Sequence, residues 1–158
     1  MLHIMLWQDL FCIFTLTKKI KVMATRSNIG ILNPDNTVSY IYCHYDGYLD
    51  HNGSILNEHY TTEGKVRALI ALGDLSILGK HIGEQQDFDN RVKGCCLAYG
   101  RDRGESGNEA RTCSYVDYTK EYMEEYIYLF TPEQGWEVRE HGNNYWADLS
   151  KALTLVAQ

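Results

Sequence analysis

The stretch Asn28-Ile29-Gly30-Ile31-Leu32-Asn33-Pro34-Asp35-Asn36-Thr37-Val38-Ser39-Tyr40-Ile41-Tyr42-Cys43 decides the fold. Two strand-like runs flank Asn33-Pro34-Asp35-Asn36, in which Pro fixes φ and Asn and Asp tolerate left-handed geometry. Along the second run Val38, Tyr40 and Tyr42 share one face, and Ser39, Ile41 and Cys43 share the other. The pattern predicts a β-hairpin over 28–43. A second hairpin is predicted downstream, with Tyr126–Phe130 and Trp136–Glu140 on either side of Thr131-Pro132-Glu133-Gln134-Gly135.

Helical signals lie between and after these hairpins. Ser54 is read as the cap of a short helix through Tyr60, and Thr62 as the cap of another in which Val66, Leu69 and Ile70 fall on one side before Gly73. Leu97-Ala98-Tyr99 is read as a short strand, Ser106–Glu109 as a mobile loop, and Asp117 as the cap of a helix through Glu125. Trp146, Leu149, Leu153 and Val156 trace the apolar stripe of a closing helix. The expected architecture is α+β: a mixed, mostly antiparallel sheet built from two hairpins, with helices packed on one face.

The 158 residues are enough for one domain that folds without disulfide or metal staples. An apolar fraction of 44% and a charged fraction of 23% are those of an ordinary globular chain, so composition points to no special class. Twelve Tyr against four Phe suggest a half-exposed aromatic surface. The net charge of −6 argues against general nucleic-acid binding, while leaving room for a small phosphorylated ligand or a basic protein partner. Cys12, Cys43, Cys95, Cys96 and Cys113 have neither disulfide-framework nor zinc spacing, and they read as reduced thiols. No metal or cofactor is implied.

Residues 1–22 stand apart. Their apolar run is short, it is interrupted by Gln8 and Asp9, and its basic residues follow it instead of preceding it, which fits neither a membrane span nor a secretory signal. The expectation is a dispensable or mis-assigned extension (1–22) before a single globular domain (23–158).

Several blocks, in order, carry a family resemblance: Thr25–Gly30, Ile41–Tyr48, His59-Tyr60, Leu72–Ser76, Tyr99–Glu105 and the Tyr-rich stretch to Trp136. Together they resemble a widespread group of uncharacterised phage and prophage accessory proteins. That resemblance implies translation from the equivalent of Met23 or Ala24, residence in the host cytoplasm, and a role in host manipulation or counter-defence.

Two segments are candidate sites. His44, Tyr45, Asp46 and Tyr48 end a strand, where functional groups are commonly carried, although Asp46-Gly47 also reads as a simple turn. Tyr99, Arg101, Arg103 and Glu105 offer guanidinium forks for phosphate or carboxylate between glycines that permit close approach. Both segments are expected to converge on one tyrosine-lined pocket. The leading expectation is a non-catalytic binder that sequesters a small nucleotide-like host signal, with no catalytic residue assigned. Alternatives are an inhibitor of a host defence protein acting through an acidic surface, and a small hydrolase using His44 and Asp46. Self-association stays open.

Overall fold

The computed structural model describes residues 24–120 and 124–157. The first hairpin forms as expected, from β1 (Ser27–Leu32) and β2 (Thr37–Cys43), with Leu32 opposite Val38 and Ser27 opposite Cys43. Its turn is fixed by Asn36 at φ 64 and by Asp35 Oδ1, which accepts from the Thr37 N–H (3.1 Å) and hydroxyl (2.6 Å). The second hairpin, β6 (Tyr126–Thr131) and β7 (Gly135–Glu140), turns through Gly135 at φ +83.

The two hairpins join through parallel pairing of β1 with β6. With β3 (Leu75–Ile77), β4 (Leu97–Ala98) and β8 (Ala147–Asp148), the sheet order is β4-β3-β2-β1-β6-β7-β8. A further strand, β5 (Arg111–Ser114), pairs with Thr37–Tyr40 of β2, while Cys43 at the other end of β2 pairs with Leu75. The outer edge of β2 is therefore shared by two partners. The fold is α+β with a mixed, mostly antiparallel sheet.

Strand alternation sends Ile29, Ile31, Ile41, Cys43, Tyr128, Phe130, Trp136 and Val138 to one face. Residues of α1 (Ser54–His59), α2 (Glu63–Ile70) and α5 (Leu149–Val156) join the same core, including Leu56, Val66, Leu69, Ile70 and Leu149. Thr62 caps α2 by accepting from the Lys65 N–H (3.4 Å), and Asp148 caps α5 by accepting from the Lys151 N–H (2.9 Å).

The opposite face is covered only in part. There α4 (Tyr115–Lys120) lays Tyr118 across β1 beside Val38, Ile127 and Leu129, and its hydroxyl donates to the Tyr128 carbonyl at 2.8 Å. Gly30 makes this possible, since a Cβ there would stand 2.8 Å from both the Tyr118 ring and Val38.

Four local readings are corrected. Ser54 opens α1 but does not cap it, because a π-helical turn (Leu49–Gly53) runs straight into α1 and Gly53 is already helical, with no side-chain cap bond. Tyr99 does not continue a strand; it opens the helical turn α3 (Tyr99–Arg103), closed by Gly104 at φ +72. The 106–109 loop is anchored, with the Asn108 carbonyl accepting from the Asp74 N–H at 2.7 Å. Ser114, not Asp117, supplies the cap of α4, its hydroxyl accepting from the Asp117 N–H at 3.1 Å. The expected extension 1–22, and part of the expected helix through Glu125, lie outside the described residues.

Candidate functional site

The uncovered end of the second face holds a cleft of about 440 Å³, within the usual range for small-ligand sites. Its floor is Asn28 of β1 with Tyr40 and Tyr42 of β2. Its walls are Tyr99 and Glu105 on one side, Asp74, Asn108 and Arg111 on another, and Glu124 before β6. A larger hollow of about 740 Å³ beside α5 contains no aromatic ring among its lining residues.

The cleft sits where β2 changes partners. Between β5 and β3 the Tyr42 N–H has no strand to bond, and the carboxylate of Asp74 takes it at 2.8 Å. The same oxygen accepts from Arg111 at 2.6 Å, and the Asp74 carbonyl accepts from the Tyr99 N–H at 3.1 Å. Burial pushes the Asp74 carboxyl above its ordinary range, and the Tyr42 N–H and the Arg111 charge oppose that shift. Arg111 also lies over the Tyr40 ring, 5.1 Å from its centroid.

Burial, reinforced by the neighbouring Glu124 carboxylate, pushes the Tyr42 phenol up to about 12. Its hydroxyl lies 2.7 Å from His44 Nδ1, so with a neutral imidazole the phenol donates and Nδ1 accepts. Burial likewise raises the Tyr99 phenol, with Ser76 as an opposing hydrogen-bond partner.

Asn28 is the most informative residue of the floor. It is 3% exposed, and among the described residues its carboxamide makes no hydrogen bond. Its amide atoms are not sealed from solvent, so both groups are open to whatever occupies the cleft.

The residues expected from sequence divide into four groups. Tyr99 and Glu105 line the cleft. His44 reaches it through the Tyr42 hydroxyl, and its ring meets Tyr45 edge-on at 4.4 Å. Asp46 and Tyr48 belong to the turn behind. Asp46, not Gly47, takes the left-handed conformation (φ 58), while Gly47 is required because a Cβ would stand 2.7 Å from the Arg26 backbone. Tyr48 packs on His51, and no hydrogen bond among the described residues joins His44 to Asp46.

The arginines turn away from the cleft. Arg101 spends all five of its donors inside the fold, on the carbonyls of Ile82 (3.0 Å), Gly83 (3.0 Å) and Cys96 (2.7 Å) and on both oxygens of Asp102 (2.8 and 2.9 Å). Arg103 pairs with Glu105 at 3.2 Å and lies over the Phe88 ring. The arginine that does line the cleft is Arg111, which sequence reasoning did not single out. Asn28, Tyr40, Tyr42, Asp74, Asn108 and Glu124 were also missed as site residues. One signal was present: a strand face reading Asn28-x-Gly30 opposite Tyr40-x-Tyr42 is poor material for a closed core.

No group of three or more His, Cys, Asp or Glu among the described residues is placed to hold a metal ion, and no described helix is long and apolar enough to cross a membrane. No protein-family model, curated protein or solved structure matches the chain.

Proposed function

We propose that this chain is a non-catalytic binding protein of the phage accessory type its sequence resembles, and that it sequesters a small nucleotide-like host signal in the tyrosine-lined cleft. One observation carries the reading: three tyrosine rings line a cavity of ligand size whose floor presents the Asn28 amide, which no hydrogen bond from another described residue engages. Tyrosine rings supply stacking faces for a planar base, and an amide supplies a donor and an acceptor side by side. His44 bonds to a tyrosine and not to a carboxylate, so the arrangement favours holding a ligand over transferring its protons.

The test is to purify the protein from phage-challenged, defence-active cells, denature it, and identify released small molecules by mass spectrometry. An intact heterocyclic ligand is expected, lost in Tyr42→Ala and Tyr99→Ala proteins. A chemically altered ligand would remove the non-catalytic assignment. Undiminished ligand in both variants would place the site elsewhere.

A further inference from the structure

We propose that the cleft reads the amino-bearing edge of a nucleobase through Asn28 and takes the uncharged nucleoside at least as tightly as its polyphosphate. This rests on the binding reading above and adds the chemical class of the ligand.

The first support is the amide itself. Asn28 sits on the buried floor of the cleft, with its carbonyl and NH2 unused by the fold. A carboxamide satisfies both groups at once only against a neighbouring donor and acceptor in the same plane. An exocyclic amino group beside a ring nitrogen, the pattern of adenine and cytosine, is such a pair. Uracil offers an N–H beside a carbonyl, which a flipped amide can also pair, so the choice of the amino-bearing edge falls to the acceptors around the amide.

The second support is the acceptors nearby. Glu124 and Glu105 also line the cleft, and the Asp74 carboxylate lies between Tyr42 and Arg111. An amino group has a second hydrogen for such a neighbour. A base carbonyl would bring oxygen toward oxygen. The stacking faces are the rings of Tyr40, Tyr42 and Tyr99.

The third support is charge. Arg111 is matched by Asp74, Arg103 by Glu105, and Arg101 by Asp102. A site for a polyphosphate needs a surplus of cations; each of these three guanidinium groups has its own carboxylate, and although Arg26 reaches the Tyr42 hydroxyl, the cleft lining also carries Glu124. Recognition therefore falls to rings and the amide.

Isothermal titration calorimetry of the full chain with adenosine, cytidine, uridine and ATP tests this. Adenosine or cytidine is expected to bind at least tenfold more tightly than uridine, and ATP no more tightly than adenosine. Asn28→Leu removes both polar groups, and Asn28→Asp replaces the donor with a charged acceptor. Each is expected to weaken the favoured nucleoside at least tenfold, with the thermal unfolding midpoint monitored alongside. The uridine and ATP comparisons use the unaltered chain and stand even where a variant fails to fold.

Equal affinity for uridine, tighter binding of ATP, or undiminished binding by both variants overturns the base-edge assignment. So does failure of every nucleoside to bind while the denatured protein still releases a ligand, and in that case the binding reading survives. No binding and no released ligand overturns both.

Discussion

Replacing Arg101 with Ala tests whether its guanidinium is a structural clamp and not a ligand-binding fork. The side chain is 18% exposed, its partner Asp102 is fully buried, and three carbonyls of the 82–96 segment depend on it. That segment has little regular structure, so these bonds do much of the work of fixing it. Asp102 also accepts from the Ala98 and Gln86 N–H groups, which tie the start of α3 to the same loop. Removing one partner of a buried ion pair costs about 3–5 kcal/mol, because the remaining charge stays desolvated. Taking the lower end, about 3 kcal/mol, a domain of this size should lose roughly 6–12 °C in unfolding midpoint.

The pH dependence gives the experiment a second readout. Burial alone would raise the Asp102 pKa, but the bonds from Arg101 and the two backbone donors hold it below the ordinary 3.8. In the unaltered protein that depressed value contributes stability above the unfolded pKa, and the contribution is lost as pH falls through the lower folded value. Without Arg101, desolvation dominates and the folded pKa rises, so ionised Asp102 becomes destabilising and protonation relieves it. The stability gap between the two proteins should be widest at neutral pH and narrow below about pH 4. Urea unfolding followed by tryptophan fluorescence at pH 7 and pH 4 measures both quantities. A loss below about 1 kcal/mol at pH 7, the size of an exposed ion pair, or a gap that does not narrow in acid, would refute the clamp.

Two further outcomes follow from packing. Gly30→Ala should destabilise by about 1–3 kcal/mol, because the new methyl meets the fully buried Tyr118 ring and Val38 at 2.8 Å; equilibrium unfolding that shows no loss would contradict the placement of α4. Burial pushes the Cys43 thiol up to about 12 and raises Cys96 as well, so iodoacetamide on folded protein at pH 8 should modify Cys95 and spare Cys43 and Cys96. Peptide mapping that finds Cys43 modified before unfolding would show that the first core is open.

What the sequence made legible was local. Asn33-Pro34-Asp35-Asn36 and Thr131–Gly135 announce their turns through residues that have few other uses, and both hairpins form with the expected facing. Parallel pairing of β1 with β6 was not legible, because strands about 100 residues apart are brought together by packing and not by any local signal. β5 escaped for a related reason. Its burial pattern is exposed at Arg111, Thr112 and Ser114, so no apolar alternation marks it as a strand. The site suffered from the same limit. Arg101 and Arg111 are both guanidinium groups near glycines and acidic residues in the sequence. Only the register that sets Arg111 opposite Tyr40, and the five carbonyl and carboxylate acceptors around Arg101, separate a cleft residue from a clamp.

That register also explains why the cleft is held open. Asp74 bonds through its N–H to Asn108, through its carbonyl to Tyr99, and through one carboxylate oxygen to Tyr42 and Arg111. One residue thus fixes β2, α3 and the approach to β5 against each other, around a gap that the sheet itself does not fill. Walls positioned by such bonds lose little freedom when a ligand arrives, which is where a binder without chemistry gains affinity. The same economy makes Asp74 a poor probe of recognition, since its loss would loosen three walls together. The Asn28 side chain makes no hydrogen bond to another described residue, so a change in ligand preference in a variant that keeps its unfolding midpoint reports on recognition and not on the scaffold.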